Sequence, residues 1–305
     1  YYQQVAANKR ARLFSFALYK QAWCQYKTGQ LKPALMSLEK VIRTGRQAKG
    51  AQDTSSGGVG RIRLATEAQK DLVVFYAESG SAKEARGYFE EIAGEKQTFG
   101  LLEKLAYYYV DTGNREGAKY IFKELIDERP NAPKAYDYQY QIVTMYTSTD
   151  KGEVFKAELY NWIQSYSPGS EWARANGKDK ELVAKAHQLI ETTLRNHILQ
   201  QHQTAQNSRV PTAQKTAKAG YELYFQTFKE GTKLDEMHFF YAELLFDMHE
   251  FELASVHYIW VVEHAPKSPY FEKAELNTVL AVEKGLPSEE ELKKQVGENL
   301  EQVPF

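Results

Sequence analysis

One spacing recurs along this 305-residue chain and leaves it few ways to fold. Gly113 is followed at offsets of five, nine, twelve and seventeen residues by Ala118, Phe122, Leu125 and Pro130. Gly80 is followed at the first three of those offsets by Ala85, Phe89 and Ile92, and Gly29 by Ala34, Leu38 and Val41. With His249 in the glycine's place the series reads Ala254, Tyr258, Val261 and Pro266. Seven residues before each turn stands a small or apolar residue, Ala22, Val73, Ala106 or Ala242, preceded by Gln21, Leu72, Leu105 or Tyr241. Elsewhere apolar positions fall three and four apart, without sustained alternation of period two, so the class is all-α.

The frame has a physical logic. The small residue of the first helix and the alanine of the second sit at one crossing and let the two helices approach. The aromatic or leucine four residues later fills the gap toward the next unit. Proline ends the second helix because it lacks an N–H and disfavours helix in the residue before it. The 21 tyrosines and 15 phenylalanines are then largely filler between helices.

The run Leu105, Ala106, Tyr109, Gly113, Ala118, Phe122 and Pro130 resembles the tetratricopeptide repeat, a helix–turn–helix unit of about 34 residues. The resemblance implies an α-solenoid, a right-handed superhelix of about six such units with a C-terminal capping helix. The units fall at about 13–46, 64–97, 98–131, 135–168, 181–230 and 235–268, with capping helices over 269–301, in one domain spanning 1–305. The fourth is degenerate, with Asp150 at its turn and Ile142, Val143, Tyr146, Phe155, Leu159 and Trp162 at core positions. The fifth is stretched: a long helix over 181–203, an insertion over 204–211, and a second helix starting at Pro211 and carrying Ala217, Tyr221 and Tyr224. Stretches 17–24, 67–76, 220–228 and 241–246 are similar to tetratricopeptide proteins of the cell envelope in gliding and predatory deltaproteobacteria. That similarity implies a periplasmic or outer-membrane-associated scaffold of a motility or envelope complex. The lone Cys24 makes no intramolecular disulfide and suits the cytoplasm equally, which stays the alternative location.

Interruptions and charge add detail. Gly29 to Gly80 is 51 residues where Gly80 to Gly113 is 33, and the extra length is a Gly/Ser-rich stretch over 44–60 that reads as a flexible surface insertion. Ser288 and Glu291 form a capping box ahead of a short acidic helix ending near Pro304, a polar cover for the last apolar face. Residues 1–50 carry ten Lys or Arg against the single acid Glu39, whereas residues 251–305 carry ten Glu against five Lys. The basic end, with Lys9, Arg10 and Arg12 near its start, gives the alternative function: a module that binds nucleic acid or an anionic surface. Spread along helices, these charges read first as solvated surface, and no specific nucleic acid is expected. No run approaches the length of a membrane span.

Templates for catalysis fail. There is no His-Glu-x-x-His, no Walker loop, no Gly-x-Ser-x-Gly elbow and no dinucleotide fingerprint. Gly57, Gly58 and Gly60 follow no strand. His257 and His264 share a helical face, but two turns put them roughly 10 Å apart, too far for one ion. Adjacent carboxylates such as Glu90 and Glu91 diverge. Cys24 reads as packed and inert. The expectation is a non-enzymatic chain without cofactor or metal.

Binding requires a face, and stacked helix pairs offer a concave groove lined by their first helices. The register points Phe16, Tyr19, Trp23 and Tyr26 toward it from the first unit, or against an N-terminal helix from residues 1–12. Later units add Lys70 with Val74 and Ala77, then Glu103, Tyr107 and Val110, then Phe239, Glu243 and Phe246. Chaperone-binding tetratricopeptide domains grip a terminal carboxylate with Lys and Asn at such places, and of these residues only Lys70 fits. A mixed aromatic and acidic groove suits a protein or peptide segment with apolar anchors and some positive charge. The partner-binding candidates are therefore Phe16, Tyr19, Trp23, Tyr26, Lys70, Tyr107, Phe239, Glu243 and Phe246, in a scaffold attached to a membrane-associated complex.

Overall fold

The computed structural model describes every residue except 9, 10, 12, 54, 148–151 and 288–305. Among the described residues there is no strand, and the expected all-α array of helix pairs is what the chain forms. It divides into two compact units, Tyr1–Leu182 and Val183–Phe305, where the repeat spacing suggested one domain. The division falls within the first turn of the longest helix, just after the turn over 176–179.

Unit 1 starts with the short α1 (Tyr2–Ala6) and continues as four helix pairs. These are α2 (Phe14–Lys27) with α3 (Leu31–Gly50), α4 (Ser56–Ala77) with α5 (Ala85–Ala93), α6 (Glu95–Asp111) with α7 (Arg115–Glu128), and α8 (Ala135–Tyr146) with α9 (Gly152–Tyr166). The short α10 (Glu171–Ala175) closes the unit, its Trp172 buried with the indole N–H donated to the Ala132 carbonyl at 2.8 Å. Unit 2 holds α11 (Lys180–Ser208), α12 (Pro211–Thr227), α13 (Leu234–Asp247), α14 (Phe251–His264) and α15 (Phe271–Gly285).

The repeated frame is the core. Ala22, Ala34, Leu38 and Val41 in the first pair, Ala106, Ala118, Phe122 and Leu125 in the third, and Ala242, Ala254 and Val261 in unit 2 are fully buried. The turns repeat as well: Gly29, Gly113 and His249 all have positive φ, at 75°, 79° and 62°. In two of them the chain closes with the same pair of bonds, Gly29 N–H to Tyr26 O and Gln30 N–H to Gln25 O, then His249 N–H to Phe246 O and Glu250 N–H to Leu245 O. Gly80 serves differently. A Cβ there would stand 2.3 Å from the Tyr76 ring, whose hydroxyl bonds the Ser81 carbonyl at 2.8 Å.

Two expectations need correction. The stretch 44–60 is helical over 44–50 and 56–60, so only a short break separates α3 from α4. Two of its glycines, Gly45 and Gly58, are there for contact, whereas Gly50 and Gly60 stand in open space. A Cβ on Gly45 would lie 2.2 Å from that of Ala65, so the lengthened helices cross there at close range, and one on Gly58 would meet the Asp53 carboxyl at 2.3 Å. Ser55 caps α4 through Gly58 N–H, and Asp53 anchors Arg61 at 2.5 Å. The insertion expected over 204–211 likewise shrinks, because α11 runs to Ser208 and α12 opens at Pro211. The turn at Asp150 and the capping box at Ser288 and Glu291 lie outside the described residues. Of the expected capping helices, α15 is described, and its outward face is apolar, with Leu276, Val279 and Leu280 exposed.

Among the described residues of unit 1, one charged side chain is buried. Glu158 on α9, 5% exposed, accepts from Lys119 and Lys123 on α7 at 2.8 and 3.1 Å and from Gln139 on α8 at 2.9 Å. Burial opposes its charge, but these three donors outweigh it and hold its carboxyl below the ordinary glutamate range.

Candidate partner-binding face

The first helices of unit 1 are stitched to one another by tyrosine hydroxyls donated to carboxylates. Tyr19 and Trp23 on α2 both donate to Asp71 on α4, at 2.6 and 3.0 Å, and Tyr26 donates to Glu78. Tyr107 on α6 donates to Asp137 on α8 at 2.7 Å, while Tyr138 on α8 and Lys134 just ahead of it reach back to Glu103 at 2.9 and 2.6 Å. Burial and then the carboxylate bond push the phenols of Tyr19, Tyr26, Tyr107 and Tyr138 up, which keeps them as donors. In unit 2, Tyr258 and Asn277 converge on Glu243.

This geometry sorts the expected site residues. Trp23 meets Phe75 edge-on at 5.2 Å, and Tyr26 stacks on the same ring at 4.1 Å, so Tyr19, Trp23 and Tyr26 form the seam between α2 and α4. They are half-buried, and what they pack on is α4 rather than the N-terminal helix alone. The stripe that meets them is Asp71 and Phe75 on α4 with Glu78 at its C-terminal end, one residue further round than Lys70, Val74 and Ala77. Apolar periodicity could not mark Asp71 and Glu78, since only their tyrosine partners explain acids on an inner stripe. Lys70 is exposed and pairs with Glu67 at 2.9 Å. Tyr107 is packed edge-on against Phe122, and Glu243 is occupied by its two donors. Phe239 is a correction: at 5% exposure and stacked on Tyr270 at 4.8 Å it is core, because α15 follows directly and its leading turn covers that side of α13. Phe246 packs edge-on against Phe251 near the α13–α14 turn.

What remains open on α2 is a basic and aromatic strip. Phe16 is 45% exposed with the Lys20 ammonium 5.5 Å above its ring, and Lys27 lies 5.9 Å over Trp23. Cys24 on the same helix is exposed, contrary to the packed thiol expected. The basic charge of residues 1–50 is partly spent inside the fold: Arg43 pairs with Glu91 at 2.6 Å, and Arg46 caps α5 through the Glu91 and Ile92 carbonyls. His257 is met by His238, Nδ1 to Nδ1 at 2.8 Å, rather than by His264. Among the described residues no group of three or more His, Cys, Asp or Glu side chains could hold a metal ion, and no helix is long and apolar enough to cross a membrane.

Helix pairs on a recurring glycine-turn frame, with an all-helical core among the described residues, define the class: a helical-repeat protein. A tetratricopeptide repeat model matches residues 16–44 and 101–132, the stretches that hold the Gly29 and Gly113 turns. Those matches support a tetratricopeptide-repeat protein. No curated protein matches the chain.

Proposed function

We propose that the chain is a non-enzymatic scaffold that takes a partner segment on the first-helix face of unit 1. Tetratricopeptide repeats generally mediate protein–protein interaction. The observation that carries the reading is the strip of Phe16, Lys20, Trp23 and Lys27, left accessible on α2 while Asp71, Glu78, Glu103 and Asp137 already hold tyrosine or lysine partners. The free charge on α2 is therefore positive. A segment with an apolar anchor and acidic residues fits better than the basic segment a mixed aromatic and acidic groove would suit. The similarity of four short stretches to envelope proteins of gliding bacteria supports a periplasmic or outer-membrane-associated assembly.

A photo-crosslinker placed at Phe16 and, as a control on the other helix of the pair, at Met36 tests this in the source cells. Adducts with one protein at Phe16, absent at Met36 and lost with Lys20→Glu, are expected. Equal adducts at both positions would remove the face assignment. Cell fractionation checks the compartment separately, and recovery of the chain with cytoplasmic enzymes would remove the envelope assignment.

A further inference from the structure

Unit 2 contains a cavity of about 770 Å³, bounded by the α11–α12 corner, the α13–α14 turn and the end of α15. Its lining is mixed: Ala205, Leu244, Phe246, Met248 and Phe251 are apolar, while Arg209, Lys284 and His249 stand with Gln206 and Gln214 against one acid, Asp247. A lining that offers both apolar side chains and an excess of positive charge, around a volume in the usual range for small-molecule sites, suits a small anion with an apolar part. Neither Arg209 nor Lys284 has an ion-pair partner among the described residues. Phe246, expected on the first-helix face, is part of this lining instead.

The backbone around the cavity departs from its own rule. At the frame's turn position Gly29 and Gly113 take positive φ without a Cβ, whereas His249 holds φ 62° with a full side chain. Its ring lies edge-on to Phe251, 5.6 Å away. Arg209, at φ 54°, turns α11 into α12 in the same left-handed conformation. Among the described residues three non-glycine positions have positive φ, and two of them line this cavity. Strained residues of this kind gather at ligand clamps because the side chain they present is worth the strain. Behind them, one helical turn before the lining residues Ala205 and Gln206, His202 is 4% exposed, with Nδ1 bonded to the Tyr221 hydroxyl at 2.8 Å and Nε2 without a partner. The Asp247 charge at the cavity reaches that imidazole.

We propose that this cavity binds a small monocarboxylate with an apolar tail, the carboxylate held by Arg209, Lys284 and His249 and the tail laid on Leu244, Phe246 and Phe251. The site belongs to unit 2, whereas the proposed partner face belongs to unit 1.

Calorimetry on the full chain with octanoate, octanol, octylamine and acetate tests it. Octanoate binds one to one, acetate and octylamine do not, and octanol binds at least tenfold more weakly. Arg209→Gln weakens octanoate at least tenfold. His249→Gly, which restores the frame's glycine, also weakens it while raising the melting temperature, so lost binding cannot be ascribed to lost folding. Equal affinity for octanol and octanoate, preference for octylamine, no octanoate binding at millimolar concentration, or unchanged affinity in both variants would each overturn the assignment.

Discussion

At the scale of single residues, the high tyrosine content has a use beyond filling space. Tyr19, Tyr107, Tyr138, Tyr224 and Tyr258 each pack a ring and hand the hydroxyl to a carboxylate on another helix, so packing and hydrogen bonding are satisfied by one side chain. Tyr107→Phe keeps the ring against Phe122 but strips Asp137 of its donor, and a loss of about 1–2 kcal/mol in urea unfolding is expected. Glu158 is a harder case. Replacing it with Ala leaves two lysines converging on a site with no anion, and about 2–3 kcal/mol should be lost, less than for a fully buried pair because Lys123 is 44% exposed. Its folded-state pKa, held below the ordinary glutamate value, gives the sign of the pH effect. The stabilisation is complete above the ordinary glutamate range near pH 4.3 and is lost as pH falls through the folded value, so wild-type and Glu158→Ala unfolding midpoints converge below about pH 4. Cys24 was legible as a lone cysteine but not as an exposed one, since exposure depends on which side of α2 faces α4. It should react with a thiol reagent in the native chain at close to the rate seen in urea.

At the scale of elements, glycine separates the turns from the helices. Gly87 and Gly100 sit inside α5 and α6 with nothing within 4 Å of a built Cβ. Alanine at either should stabilise by about 0.5–1 kcal/mol, since it restricts the unfolded chain and fits the helix. Gly80→Ala should instead cost about 1–3 kcal/mol, because the Tyr76 ring must move and gives up its bond to Ser81. Thermal melting of the three variants gives opposite signs if these contacts hold. The helix pairs themselves were readable from spacing because burial at every frame position repeats. The length of α3 and α4 was not readable, because a run of glycine and serine looks like a loop until Gly45 is seen against Ala65 and Gly58 against Asp53.

At the scale of the molecule, the two units differ in titratable groups. All seven histidines lie in unit 2, and burial pushes His187 and His202 down, His257 to about 4, and His238, beside His257 and His264, to about 3. A histidine kept neutral when folded takes its proton on unfolding. Unit 2 therefore keeps its full stability above pH 6.5 and loses it progressively toward pH 4, whereas unit 1, with no histidine, holds until its carboxylates titrate. Hydrogen exchange at pH 5 should show α12–α14 opening before α3–α7, and simultaneous opening would contradict this. Each unit carries its own core, so chains 1–179 and 180–305 should each unfold cooperatively by circular dichroism.

The amino-acid sequence by itself determined the all-helical class, the turn positions and which residues of the frame are buried, because these follow from a local period that every repeat obeys. Only the tertiary structure decided which aromatic residues are seam and which are surface. Phe239 and Phe16 stand at equivalent-looking places on first helices, yet one is covered by α15 and the other is open, since coverage depends on what packs alongside and not on the helix's own pattern. The same holds for Asp71 and Glu78, whose inward place is explained by hydroxyls about fifty residues away in the chain.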